Sequence, residues 1–205
     1  MTANDKQTEE KIFEAATAEF EEKGLAGARM QNIANRANIN KALLHYYYRS
    51  KDHLFEAVFT MVANKMISKF NPIFQDDLTI EEKIRFFFRE HISFLQKNQK
   101  LPGFVLNEIN HNPQRIKKII KNIDFKKLWN VLLEQHKDEL PNYNITEKSL
   151  PQLMTTIASL SVFPFAARGI FETIFTDIGL SFDDYIEERK EFAAEFVIRA
   201  IKKQV

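Results

Sequence analysis

The chain has no cysteine, which excludes disulfides, thiolate metal sites and cysteine nucleophiles and fits a reducing, cytoplasmic setting. Glycine and proline are scarce, five and six in 205 residues, and no stretch alternates apolar and polar side chains over the length of a strand. Internal repeats and low-complexity tracts are absent. Residues 1–11 are polar and charged and lack the apolar run of a signal peptide. His91, His111 and His136 stand without an HExxH, GxSxG, P-loop or paired metal-ligand spacing, so no catalytic residues, metal or cofactor are expected. Residues 149–167 carry no charge and nearly reach membrane-spanning length. They also hold Gln152, Thr155, Thr156, Ser159, Ser161, Pro151 and Pro164, which favours a buried or interface helix over a membrane span.

What is present is an ordinary globular balance, 44% hydrophobic and 28% charged, with a net charge of +1 that conceals an uneven distribution. Residues 1–22 hold seven acids and two lysines. Residues 23–51 hold six basic residues, Lys23, Arg29, Arg36, Lys41, Arg49 and Lys51, and no acid. Clustered positive charge is the footprint of a phosphate-binding surface, and a solvated face is the alternative.

Periodicity and punctuation predict an all-α fold of about nine helices: an N-terminal three-helix domain over residues 1–52 and a helical domain over 53–205. The first helix spans Asp5 to Lys23 with Ile12, Phe13, Ala16 and Phe20 as its apolar stripe, and Gly24 stops it. A short helix follows from Met30 to Ala37. Asn38-Ile39-Asn40 makes a tight turn, with Asn40 capping a helix from Lys41 to Tyr48. Ser50 caps the fourth helix, which ends near Phe70 after a stripe of Leu54, Phe55, Val58, Val62 and Met66. Asn71-Pro72 and residues 75–77 mark a break, and Thr79 with Glu82 forms a capping box. Pro102-Gly103 opens a short helix to His111, and Asn112-Pro113 opens another that bends near Asp124 and ends near Leu140. A long helix over 149–176, kinked at Pro164, precedes a last one over 182–202 capped by Ser181.

Residues 30–48 fit a helix-turn-helix, whose second helix anchors on one side and offers the other to the major groove. Ile39, Leu44 and Tyr48 serve as anchors, and Lys41, Ala42, His45, Tyr46 and Tyr47 face outward or obliquely. The longer stretch 8–58 resembles the DNA-binding domain of the TetR/AcrR family. The residues that carry this are Ile12, Ala15, Ala16, Phe20, Lys23-Gly24, Ile33-Ala34, Arg36-Ala37, Leu44, Tyr46, Ser50-Lys51 and Leu54. The resemblance implies an all-helical fold, a homodimer that binds double-stranded operator DNA, and a divergent C-terminal domain that takes a small effector. It implies phosphate contacts for Lys51, phosphate or base contacts for Tyr46 and Tyr47, and base-edge contacts for Lys41 and Gln31. Each has a bland alternative in solvation or local packing, and His45 in a surface notch. Ala28-Arg29 departs from the family's hydroxyl pair, so a helix cap is lost and Arg29 offers a charged contact instead. Ala42-Leu43, His45 and Tyr47-Tyr48 also depart, which bears on the operator sequence.

Beyond residue 54 the chain is rich in phenylalanine. An aromatic lining suits an apolar or aromatic effector. The candidate contacts are His91, Phe94, Phe104, Glu108, Trp129, Phe165 and Arg168, with a phenylalanine-rich core as the alternative. The resemblance implies dimerisation through residues 149–176 and 182–202, with Phe192, Phe196 and 198–201 contributing. The function expected is a regulator, a repressor released from DNA by such a ligand. The competing reading is a helical ligand-binding protein of the same fold without DNA binding.

Overall fold

The computed structural model describes residues 3–69, 72–73, 78–114, 117, 121, 125–146 and 148–203. Among them are ten α-helices, one 3-10 turn at Leu140–Asn142 and no strand. The helices are α1 (Ala3–Gly27), α2 (Met30–Arg36), α3 (Lys41–Tyr47), α4 (Lys51–Lys69), α5 (Ile80–Lys97), α6 (Leu101–His111), α7 (Phe125–Gln135), α8 (Leu150–Ala166), α9 (Arg168–Asp177) and α10 (Phe182–Ile201).

Capping chemistry sets many of these boundaries. Asn40 Oδ1 accepts from the Leu43 N–H at 2.7 Å, Ser50 Oγ from the His53 N–H at 3.2 Å, and Ser181 Oγ from the Asp184 N–H at 3.3 Å. Thr79 and Glu82 form the reciprocal capping box of α5. Asn38 takes a positive φ of 54°, which lets the chain reverse between α2 and α3. Gly24 also has positive φ, yet it kinks α1 instead of ending it, and the helix resumes to Gly27.

The later helices depart from expectation. The helix expected over 149–176 is two, α8 and α9, bent by 70° with Ala167 between them. Pro164 stays inside α8 and is not the break. No single helix among the described residues is long and apolar enough to cross a membrane; α8 and α9 reach that length and composition only as a bent pair. The break near residue 71, its 75–77 stretch and the bend near Asp124 lie outside the described residues, and α7 already ends at Gln135.

The chain divides into two compact units, Met1–Lys65 with Phe104–Ile120, and Met66–Gly103 with Lys121–Val205. The first unit therefore reaches past the boundary expected at residue 52. Its core joins Ile12, Ala16, Phe20, Ile33 and Leu44 to Leu54, Phe55 and Val58 of α4. Phe55 stacks obliquely on Phe104 with ring centroids 5.3 Å apart. α4 contributes to this core, and Phe104 and Val105 of α6 pack against it. In the second unit α10 packs along α5 and α8. Its buried residues include Ile84, Phe88 and Ile92 of α5, and Ile186, Val197, Ile198 and Ile201 of α10. Ile198 and Ile201 thus belong to the chain's own core, not to the surface expected to pair with a second copy.

Candidate nucleic-acid interface

α3 is held by one fully buried side chain, Leu44, with Ile39, Tyr47 and Tyr48 packed on the same core. That leaves Lys41, Ala42, His45 and Tyr46 exposed on one surface. Tyr46 is 81% exposed, the most exposed large hydrophobic side chain among the described residues, and meets Tyr47 edge-on. An exposed aromatic with a hydroxyl, beside a lysine and a small residue, is suited to groove and phosphate contact.

The other expected DNA residues are placed unequally. Arg29 is the exposed N-cap residue of α2 and gives it no side-chain cap. Gln31 is exposed but donates to Asn35 Oδ1 at 2.9 Å, one turn along α2. Lys51 opens α4, where backbone donors also face outward, yet its ammonium donates to the carbonyls of Ala26 and Ala28 at 3.2 and 3.0 Å. These contacts tie the start of α4 to the α1–α2 connection and use two of the three ammonium donors. Tyr47 and Tyr48 are half-buried and donate to Asp5 Oδ1 at 3.2 Å and Glu9 Oε1 at 3.0 Å. Burial and these carboxylates push both phenols above their usual range, so both stay protonated donors. The end of α3 is thereby tied to the first turns of α1, a tether absent from any local motif.

The six basic residues of 23–51 do not act as one patch. Lys23 donates to Glu19 Oε1 at 2.9 Å. Arg36 forks onto Glu22 at 3.2 and 2.5 Å, with its Nε 3.3 Å from Glu19 Oε2. Arg29, Lys41 and Arg49 enter no ion pair among the described residues. Glu19 is fully buried and was not expected. Besides Lys23 it accepts from Asn32 Nδ2 at 2.9 Å and the Arg29 N–H at 3.4 Å. Burial alone would raise its carboxyl, but the hydrogen bonds from Lys23, Asn32 and Arg29 outweigh it and hold the group below the ordinary carboxylate range. The sequence did carry a signal: Glu19 falls on the apolar stripe of Ile12, Ala16 and Phe20, where an acid needs partners.

The seven candidate effector contacts are divided between the two units. Phe104 and Glu108 belong to the first unit, the other five to the second. His91 is buried, with Nδ1 2.9 Å from Ser161 Oγ, and burial lowers its pKa to about 4. Arg168 pairs with Glu172 at 2.6 Å, donates to Gln99, and lies 4.7 Å over the Phe182 ring. Phe94 and Phe165 are buried, Phe165 edge-on to Phe182, and Trp129 is half-buried on α7. Two open grooves, about 560 Å³ along α4 and about 420 Å³ along α7, are lined by none of the seven.

Residues 12–58 match the model of the bacterial regulatory proteins of the tetR family. Over 59 residues the chain is 49% identical to the HTH-type transcriptional repressor SCO4008 of Streptomyces coelicolor, covering 28% of this chain and 31% of the repressor. It is 23% identical over 163 residues to YttP of Bacillus subtilis, named a probable HTH-type transcriptional regulator, covering 77% of each. The solved structure of the TetR-family transcriptional regulator HI0893 from Haemophilus influenzae superposes with a TM-score of 0.68 at 21% identity, over 99% of this chain and 100% of that one. Fold, helix-turn-helix and family match agree that residues 12–58 form a DNA-binding region of the kind found in the bacterial regulatory proteins of the tetR family.

Proposed function

We propose that the chain is a sequence-specific DNA-binding transcriptional regulator acting as a repressor. The observation that carries this is the exposed face of α3, Lys41, Ala42, His45 and Tyr46, on a helix anchored by Leu44 within a buried core. Arg29, Arg49 and Lys51 supply phosphate contacts around it, and such contacts make affinity salt-dependent. Selection from a randomised duplex pool, followed by mobility-shift titration, tests the reading: a defined consensus is expected. Recovery of no enriched sequence, with no shift at low salt, defeats it.

One recognition helix reads only a few base pairs, so a dimer on a pseudo-palindrome belongs to the same proposal. What supports it is an apolar surface left uncovered on α8, α9 and α10, including Met154, Phe163, Ile170, Ile174, Phe192 and Phe196. A patch of this kind marks an interaction site. Release by an apolar or aromatic effector is the remaining element. It is supported by the rings that gather where α8, α9 and α10 meet: Phe171 and Phe175 lie 6.1 and 4.7 Å from Tyr185, and Phe163 5.9 Å from Phe171. Thermal-shift screening with aromatic compounds, followed by operator titration of the hits, tests that element separately.

A further inference from the structure

We infer that Glu19 is a positioning residue for DNA recognition, which fixes the first turn of α2, keeps Lys23 off the phosphate backbone and, together with Glu22, keeps Arg36 off it. The inference rests on the DNA-binding reading and goes beyond it by dividing the basic cluster into working and withheld charges.

Glu19 is fully buried and lies among donors from two helices and the connection between them. Oε1 accepts from the Lys23 ammonium, the Asn32 amide and the Arg29 N–H. Oε2 has no hydrogen-bond partner and faces Arg36 Nε at 3.3 Å. A carboxylate is costly to bury, and an apolar side chain would fit the stripe of Ile12, Ala16 and Phe20 without that cost. What the carboxylate does and an apolar residue cannot do is twofold. It replaces the missing cap of α2: Arg29 offers no side-chain oxygen, and Glu19 brings negative charge to that helix N-terminus from α1. It also pairs with two cations 13 residues apart that a sequence reading assigns to phosphate. Glu22 completes the arrangement by holding the Arg36 guanidinium in a fork.

The consequence concerns discrimination. Phosphate contacts strengthen binding to every sequence alike, whereas base contacts separate operator from non-operator. Withdrawing Lys23 and Arg36 lowers sequence-independent affinity and leaves Arg29, Lys41, Arg49 and Lys51 around the reading face of α3.

The test measures the salt dependence of binding for the full chain and for Glu19→Gln, on the selected operator and on an unrelated duplex. The amide keeps an acceptor for Asn32 but no longer holds the Lys23 ammonium. The log–log slope on both duplexes is expected to steepen by about 0.9, one added phosphate contact, because Arg36 remains on Glu22. The ratio of operator to non-operator affinity is expected to fall at least threefold. In Glu19→Gln with Lys23→Met the slope returns to that of the parent. A merely structural role moves the melting temperature and leaves slope and ratio unchanged, and that result overturns the inference. Should Glu19→Gln not fold, Lys23→Met alone decides: its slope equals the parent's if the ammonium is already withheld, and a flatter slope overturns the inference. A parent that binds no DNA at any salt overturns the DNA-binding reading itself, which is distinguishable from a parent and variant that bind identically.

Discussion

Arg189 Nε donates to the Leu160 carbonyl at 2.8 Å, the acceptor that Pro164, four residues on and lacking an N–H, leaves unused inside α8. The same guanidinium donates from Nη1 to the Tyr185 hydroxyl at 2.8 Å. A proline within a helix thus becomes a tie between α8 and α10. Arg189→Met is expected to destabilise the chain by about 1–3 kcal/mol, since a part-buried carbonyl loses its donor. Pro164→Ala restores an intrahelical donor to Leu160, so the arginine substitution should cost less in that background. Urea denaturation of the two single variants and the double variant measures the coupling. Strict additivity would refute the linkage.

On the recognition face, Lys41→Ala is expected to weaken binding to the selected operator by roughly 1–3 kcal/mol and to relax one base position. Arg29→Ala and Arg49→Ala should weaken all duplexes alike and flatten the salt slope by about 0.9 each. Repeating the selection with each variant checks the division. A changed consensus for Arg29→Ala, with its slope intact, would reassign that residue to base reading.

How much of this was legible beforehand follows from the range of the forces involved. The caps at Asn40, Ser50, Thr79 and Ser181 and the reversal at Asn38 are local chemistry, and the sequence displays them. The break at Ala167 is not local, because nothing at that residue distinguishes it, whereas Pro164 advertises a kink that the Arg189 contact makes tolerable within the helix. Phe55 and Phe104 show the same limit for domain bounds: apolar periodicity says that each is inward-facing but not toward which core. In the site, exposure of Lys41 and Tyr46 follows from the anchoring of Leu44. The neutralisation of Lys23 and Arg36 required knowing that α1 lies beside α2, and so did the Asp5–Tyr47 and Glu9–Tyr48 tethers.

The buried carboxylate of Glu19 and the buried imidazole of His91 both make the fold acid-sensitive, in separate windows. Burial holds His91 at about 4 in the folded chain, against roughly 6.5 when unfolded. Between those values the unfolded state binds more protons, so stability is full above pH 6.5 and declines as pH falls, by at most about 1.4 kcal/mol per unit. Glu19, held below its ordinary value, contributes stability above that value and loses it as pH drops further through its folded pKa. Denaturation midpoints across pH 3–8 should decline in two stages, and His91→Phe should remove the first. An unaltered upper stage in that variant would exclude His91 as its source.

Phe192 and Phe196 stack one turn apart on the outer side of α10, 65% and 55% exposed, with Phe163 of α8 59% exposed. In a lone chain this surface gains nothing from being apolar, while burial against a second copy removes it from water at about 25 cal/mol per Å². The charges beside it are already committed within the chain, Arg85 to Glu191 and Glu195, and Arg199 to Glu195 at 3.4 Å. A partner therefore meets an apolar strip with a neutralised rim. Phe192→Glu with Phe196→Glu places two negative charges from each copy within an apolar two-fold interface. Sedimentation at micromolar concentration is expected to show a dimer for the parent and a monomer for the variant. Operator affinity should fall at least tenfold, with binding to a single half-site little changed. The helical signal by circular dichroism should stay the same, because neither ring belongs to the core formed by Ile186, Val197 and Ile198. A variant that remains dimeric would move the interface away from α10, and a monomeric parent that binds the full operator would remove the need for one.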